Sequence, residues 1–222
     1  MIKFGVVIFP GSNCELDTIY VISEIIKRDV VKIWHKDKYL PDVQCIVLPG
    51  GFAFGDYLRP GAIASHSPIM QPIKEYVKSG GLALGVCNGF QVLTEANLLP
   101  GALIRNIGTR FVSKKIKLKV ENNNTPFTSL FNKGEIIELP IAHKDGNYYA
   151  PGEVINEIKA NNGLVLSYID NPNGSAENIA GIVNKQCNVF GLMPHPERAY
   201  EEILGSDAGL RIFSSIVNYL ES

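Results

Sequence analysis

The sequence predicts an α/β fold, a single domain with a mostly parallel mixed sheet flanked by helices. In the first half of the chain, short apolar runs alternate with segments of helical periodicity, which is typical of βαβ units. The apolar runs are continuous, as expected for strands that helices cover on both faces. With 222 residues and 45% hydrophobic content, the chain is long enough to bury one large core.

Four strands and two helices are predicted in the first half. The strands span Lys3–Phe9, Val31–Trp34, Cys45–Leu48 and Leu82–Val86, and the helices span Leu16–Lys27 and Ile69–Ser79. Sheets of this kind bind their ligands beyond the carboxyl ends of the strands. Functional residues are therefore expected in the loops that follow these strands.

From about Arg110 the pattern changes to that of an antiparallel section. We predict strands over Phe111–Val120, Glu135–Ile141, Leu164–Ile169 and Ile179–Val183, then a strand over Val189–Met193 and a last helix near Ala208–Leu220. Clusters of turn-forming residues separate these elements. Because no Ser/Pro-rich linker and no internal repeat is present, residues 1–222 are predicted to form one domain.

Charge and cysteine content exclude several classes of function. The chain has 21 basic and 22 acidic residues and a formal net charge of -1, which argues against nucleic-acid and membrane partners. Its first apolar run is far shorter than the roughly 20 residues of a membrane-spanning helix, and no secretory signal precedes it, so a cytoplasmic location is expected. No CxxC pair and no metal-ligand spacing is present, so no metal and four free thiols are expected, at Cys14, Cys45, Cys87 and Cys187.

The segment Gly85–Gly89 has the pattern Gly-x-Cys-x-Gly, with Cys87 at its centre. It follows an apolar strand and precedes a predicted helix over Phe90–Asn97, which is the context of a nucleophile elbow. The turn would place the Cys87 sulfur above the sheet at a helix N-terminus, where a thiolate is favoured. Alternatively, Cys87 is a small buried residue and the glycines only shape a turn.

Two further strand ends carry residues that suit a cysteine nucleophile. Gly50 and Gly51 follow one strand, where backbone N–H groups can stabilise an oxyanion, although a glycine pair is also common in simple turns. His195 follows another strand and would supply the base, and Glu197 is the residue type that orients an imidazole. Without Cys87, His195 would be interpreted as an ordinary buried or surface histidine.

These motifs together resemble the class I glutamine amidotransferases over essentially the whole chain. The resemblance implies a flavodoxin-like α/β fold and glutaminase activity. It assigns Cys87 as the nucleophile, His195 as the general base and acid, and Glu197 as the orienting carboxylate. It also places the oxyanion hole at the backbone amides of Gly51 and Asn88. The residues that it assigns to glutamine binding are Phe52, Gln91, Ala142 and His143.

Within that family, several stretches resemble the glutaminase subunits of phosphoribosylformylglycinamidine synthases. They are Phe9–Asp17, Gly51–Gly61, Gly85–Gln91, and Asn171–Ser175 leading to Ile179–Ile182. One loop departs from the subfamily pattern, because Lys144 and Asp145 replace a Gly-Glu pair. The loop Phe52–Gly61 combines aromatic residues with Arg59, which favours a docking surface over a free surface.

The subfamily resemblance also implies the partners. L-glutamine is the expected substrate, and ammonia would pass to a synthetase subunit, with a small third subunit left open. This chain lacks a G-x-x-x-x-G-K-[ST] loop and is expected to hold no cofactor, so ATP and Mg²⁺ are assigned to the partner.

Two alternatives remain at this point. One is another hydrolase with a cysteine elbow, such as a γ-glutamyl hydrolase or a peptidase. The other is a non-catalytic partner subunit, although the presence of Cys87, His195 and Glu197 together disfavours it.

Overall fold

The computed structural model describes residues 2–222, so only residue 1 of the predicted domain lies outside the described residues. Its strands are β1 Lys3–Ile8, β2 Asp29–Trp34, β3 Cys45–Leu48, β4 Leu82–Val86, β5 Ala102–Ile104, β6 Val112–Val120, β7 Ile136–His143, β8 Asn147–Tyr149, β9 Leu164–Tyr168, β10 Ile179–Val183 and β11 Val189–Leu192. Its α-helices are α1 Glu15–Tyr20, α2 Met70–Lys78, α3 Asn88–Glu95, α4 Gly152–Ala160 and α5 Ala208–Glu221.

Nine strands form one mixed sheet in the order β2-β1-β3-β4-β11-β10-β9-β6-β7. The five strands from β2 to β11 are parallel to their neighbours, and the pairs from β11 to β7 are antiparallel. Strands β5 and β8 form a separate two-stranded ribbon. The predicted α/β class with a mixed sheet is confirmed.

The burial of each strand explains its residue pattern. All residues of β3 and β4 are buried, which is why these strands are continuously apolar. Strand β6 instead alternates over much of its length, with exposed lysines on one face and buried residues such as Leu118 on the other. Helix α5 buries Ile212, Phe213 and Ile216 at helical spacing.

Strand β11 is the last strand in sequence but lies near the middle of the sheet. It pairs with β4 in parallel, with Leu192 opposite Val86, and with β10 on its other side. The N–H of Cys87 donates to the carbonyl of Leu192 at 2.8 Å. This pairing brings the residues after β4 next to the residues after β11, where the predicted nucleophile and base lie.

Some predicted boundaries were wrong. The helix predicted over Leu16–Lys27 is α-helical only to Tyr20 and continues as a π-helical turn over Val21–Ile25. Helix α3 begins at Asn88, directly after the cysteine turn. The elements β5, β8 and α4 were not predicted. No helix within residues 2–222 has the length and apolarity to cross a membrane.

Candidate active site

Cys87 lies on a strained turn between β4 and α3. Its φ of 49° and ψ of -103° belong to a region that side-chain-bearing residues rarely adopt, which is characteristic of a nucleophile elbow. A Cβ added at Gly85 would lie 2.7 Å from the carbonyl oxygen of Gly89. Both glycines are therefore required by the close approach of the backbone, as the motif predicts.

The second glycine of the elbow offers a test of this packing. A Cβ at Gly89 would lie 1.9 Å from the carbonyl oxygen of Leu48, and the buried strand β3 cannot move to make room. We expect Gly89→Ala to reduce the free energy of unfolding by about 3 kcal/mol or more. Urea denaturation followed by circular dichroism measures this change. Gly152→Ala is the matched control, because a Cβ there meets open space; equal midpoints for the two variants would contradict the packing argument.

His195 and Glu197 form a buried pair beside the elbow. The Nδ1 of His195 lies 2.6 Å from Oε1 of Glu197, and the two residues are 2% and 0% exposed. Burial lowers the pKa of His195, but the charges of Glu197 and Cys87 outweigh this effect and raise the pKa well above its usual value. Nε2 of His195 has no hydrogen-bond partner among the described residues, so it is available for proton transfer.

The first glycine after β3 lies against the predicted general base. A Cβ at Gly50 would be 2.8 Å from Cε1 of His195, so a side chain at Gly50 would collide with the imidazole. Gly51 has a φ of 140° and packs against the backbone of Ser12 and Asn13. In the described part of the chain, the N–H groups of Gly51 and Asn88 have no hydrogen-bond acceptor, which leaves them free for an oxyanion.

Two small cavities meet at Cys87. The first has a volume of about 140 Å³ and is lined by Asn13, Cys14, Gly51, Phe52, Cys87, Phe111, Ala142, His195 and Arg198. The second has a volume of about 20 Å³ and is lined by Gly51, Phe52, Asp56, Cys87, Gln91, Ala142, His143, Lys144 and Asp145. A larger cavity of about 530 Å³ lies between the residues after α3 and helix α4 and includes no predicted site residue.

The residues predicted to bind glutamine line these cavities, but the side chains of two of them also form hydrogen bonds to other segments of the protein. Phe52 and Ala142 line both cavities, and Phe52 is 45% exposed. Nε2 of Gln91 donates to the carbonyl of Asp145 at 2.6 Å. His143 is buried, and its Nδ1 lies 3.2 Å from Oδ1 of Asn106. Burial and the nearby His195 lower the pKa of His143 to about 4.

The Asn88 side chain has a role that the sequence does not reveal. Its Oδ1 accepts the N–H of Ala53 at 3.0 Å, and its Nδ2 donates to Oε1 of Gln91 at 2.8 Å. The side chain thus ties the Gly50–Ala53 segment to helix α3. The sequence signal is the Asn in the elbow motif itself, but its partner lies 35 residues away.

Cys14 lies next to the predicted triad. Its Sγ, a ring nitrogen of His195 and a carboxylate oxygen of Glu197 lie within 4.8 Å of one another. Arg198 donates to this sulfur at 3.2 Å and pairs with Asp17 at 3.1 Å. Because Glu197 already holds Nδ1 of His195, we assign this cluster to the triad and not to a metal site. Cys45 is fully buried in the core, and Cys187 is partly buried.

A mixed α/β sheet that carries a cysteine elbow and a buried His-Glu pair defines a hydrolase with an activated cysteine nucleophile. The chain belongs to the CobB/CobQ-like glutamine amidotransferase domain family, whose model matches residues 2–220. The family predicted from the sequence motifs is therefore confirmed.

Two curated relatives match the chain over nearly its full length. The phosphoribosylformylglycinamidine synthase subunit PurQ of Alkaliphilus metalliredigens is 50% identical over 219 residues, which cover 99% of this chain and 97% of the relative. The subunit of the same name from Aquifex aeolicus is 49% identical, covering 97% of this chain and 99% of the relative.

Solved structures agree with these relatives. A chain in the structure of PurLQS from Thermotoga maritima superimposes with a TM-score of 0.91 at 46% identity and covers 99% of both chains. Another glutamine amidotransferase from Thermotoga maritima superimposes with a TM-score of 0.64 at 15% identity, covering 99% of this chain and 97% of that one, and shows the shared fold.

Proposed function

We propose that this chain is the glutaminase subunit of a phosphoribosylformylglycinamidine synthase. It hydrolyses glutamine and delivers ammonia to a synthetase subunit that converts formylglycinamide ribonucleotide to the amidine in purine biosynthesis. The observation that carries this proposal is the buried His195–Glu197 pair beside the strained Cys87, in a chain 50% identical to a PurQ subunit over 99% of its length.

The first half of the reaction forms a thioester. The Cys87 thiolate attacks the side-chain carbonyl carbon of glutamine, and the N–H groups of Gly51 and Asn88 stabilise the oxyanion that develops. The carbon–nitrogen bond then breaks, and the imidazolium of His195 gives its proton to the departing ammonia. Glu197 stabilises the imidazolium charge until that proton is transferred.

The second half of the reaction returns the enzyme to its starting state. His195 takes a proton from a water molecule, whose oxygen attacks the thioester carbonyl. The carbon–sulfur bond breaks, the new γ-carboxyl group of glutamate releases its proton to solvent, and the Cys87 thiolate and the His195 imidazolium of the starting state are restored. The same oxyanion donors serve both halves because the carbonyl carbon stays attached to Cys87 between them.

The ammonia acceptor is a separate synthetase subunit, and ATP and Mg²⁺ are assigned to that subunit. The absence of a phosphate-binding G-x-x-x-x-G-K-[ST] motif from this sequence supports that assignment. The PurLQS assembly of Thermotoga maritima supports L and S partners beside the Q chain. We also propose a cytoplasmic location, which is consistent with four free cysteines in the described part of the chain.

Substrate choice separates this function from the alternatives. We expect a diazoketone analogue of glutamine to label Cys87 stoichiometrically, as detected by mass spectrometry. The complex with synthetase should hydrolyse free glutamine and leave γ-glutamyl peptides intact. Faster turnover of the peptides would support a γ-glutamyl hydrolase, and no labelling would support a non-catalytic subunit.

The Phe52–Gly61 loop connects the surface with the catalytic residues. Tyr57 and Leu58 are 74% and 88% exposed. Arg59 forms two hydrogen bonds of 2.6 Å to Glu95 at the end of α3, the helix that begins after Cys87. The loop therefore joins the proposed oxyanion segment at one end and helix α3 at the other, which suits a docking surface for the synthetase.

This arrangement predicts activation by the partner. The isolated subunit should be a poor glutaminase, and addition of synthetase with its nucleotide should raise turnover, since docking favours the productive loop conformation. We expect Tyr57→Ala and Arg59→Ala to reduce this rise and to spare basal activity. Steady-state glutamate release measures both rates.

The control for these variants is Tyr219→Ala. Tyr219 is 51% exposed near the end of α5. In the same region Glu221 pairs with Arg28, which directly precedes β2, so this surface lies where β2 begins, whereas the site lies where the parallel strands end. Unchanged assembly and activation in Tyr57→Ala and Arg59→Ala would show that the coupling passes through another face.

A further inference from the structure

The second cavity beside Cys87 contains two carboxylates close to each other. Asp56 and Asp145 both line this cavity. Burial and the charge of Asp145 raise the pKa of Asp56 to about 6. Within residues 2–222, Asp56 has no cationic partner in salt-bridge range; its side chain only accepts from Nδ2 of Asn88 at 3.4 Å. A half-buried carboxylate beside a second one is unfavourable unless a cation joins them.

Asp145 and its own ion pair do not neutralise the charge of Asp56. One of its oxygens, Oδ1, accepts from Nε of Arg105 at 3.4 Å, and the Arg105 side chain is 56% exposed. Such an exposed pair contributes little and leaves the second oxygen of Asp145 open. Lys144 also lines the cavity but forms no salt bridge with either carboxylate in the described part of the chain, so Asp56 has no cationic partner in the free protein.

His143, another residue of the cavity lining, has a buried hydrogen-bond acceptor without a partner. His143 lines the cavity and is 3% exposed. The atom facing its Nδ1 is Oδ1 of Asn106, which also accepts the N–H of Gly146, so Nδ1 of His143 is the donor in this bond. Nε2 is then an acceptor, and it is buried without a partner.

We propose that Asp56, together with Asp145, binds the α-ammonium group of glutamine while the carboxamide lies at Cys87. This inference rests on the proposed glutaminase function and names the group that selects the free amino acid. Asp56 and Cys87 line the same cavity, and Asn88, which follows the nucleophile, contacts Asp56 through its side chain. Oε1 of Gln91, which accepts from Asn88, lies on the same path.

The proposed contact explains how the site rejects glutamine in peptide linkage. A substrate whose α-nitrogen is acylated carries no charge there and would leave Asp56 without a counter-ion in a partly buried cavity. Leaving a buried polar group unpaired discriminates more strongly than losing apolar contact. The cavity is thus specific for the free amino acid rather than for the carboxamide alone.

The test compares glutamine with glutaramic acid, which has the same carboxamide and lacks the α-amino group. We expect Asp56→Asn to lower kcat/KM for glutamine by about 10- to 100-fold, mostly through KM, because one charged hydrogen bond is lost. The rate with glutaramic acid should not fall. Both substrates are assayed in the complex with synthetase, and Asp29→Asn serves as control because Asp29 is exposed at the start of β2.

The possible results distinguish this inference from the function on which it rests. An equal loss for both substrates would show that Asp56 only supports Asn88 or the docking loop, and would overturn the inference. Unchanged glutamine kinetics in Asp56→Asn would also overturn it while leaving the glutaminase function intact. No glutamine hydrolysis by the wild-type complex would overturn both.

Discussion

Cys87→Ala should abolish glutamine-dependent synthesis by the complex while leaving ammonia-dependent synthesis intact. The variant retains the fold, because alanine replaces a residue that is 5% exposed and removes only the sulfur. It loses covalent attack, so glutaminase turnover should fall on the order of 10³-fold or more. Parallel assays with glutamine and with ammonium salts at high pH measure the two routes.

The ammonia arm is the internal control for this experiment. Retained ammonia-dependent activity shows that the subunits still assemble and that the synthetase site is sound. Near wild-type use of glutamine by Cys87→Ala would show that the elbow assignment is wrong. Loss of both activities would indicate that the substitution damages assembly rather than chemistry.

His195→Ala and Glu197→Gln should both be impaired, but to different extents. His195→Ala removes the group that carries the proton and should lower glutaminase turnover about as much as Cys87→Ala does. Glu197→Gln keeps an oxygen able to accept from Nδ1 of His195, so its loss should be at least about 10-fold smaller. Steady-state glutaminase rates of both variants in the complex decide the order.

A second measurement tests the role of Glu197 directly. Because the Glu197 charge raises the pKa of His195, Glu197→Gln should shift the titration of the imidazole to lower pH, as followed by NMR of the ring protons. Wild-type rates and an unchanged titration in Glu197→Gln would place the orienting acid elsewhere.

The sequence predicts a catalytic triad from local signals, and the structure brings its members to one place. Gly85, Cys87 and Gly89 lie within one turn, and His195 and Glu197 lie two residues apart. In each motif, residues that are close in sequence are also close in space, so the motif alone predicts the local geometry. The sheet then brings the motifs together through the pairing of β4 with β11. The strand ends were predicted, but the neighbour relation was not, since the two strands are about a hundred residues apart.

Contacts between segments that are distant in the chain could not be predicted from the sequence. The hydrogen bond from Ala53 to Asn88 and the approach of Asp56 to Asp145 depend on how loops fold over the sheet. Helix α4 was missed for a local reason, because Pro151 and Gly152 at its start are typical of a turn. Strands β5 and β8 have three residues each, too few to show a period.

The late position of β11 in the chain has a consequence for biosynthesis. The ribosome completes β4 and β10 before β11 exists, so each of these two apolar strands awaits the neighbour that β11 will provide. Until then the nascent chain consists of two half-sheets with open edges that invite association with other chains. The same delay keeps Cys87 inactive as a nucleophile. Its backbone partner, the Leu192 carbonyl, and its proposed base, His195, are both missing until nearly all of the polypeptide has emerged. An unfinished chain therefore cannot consume cellular glutamine.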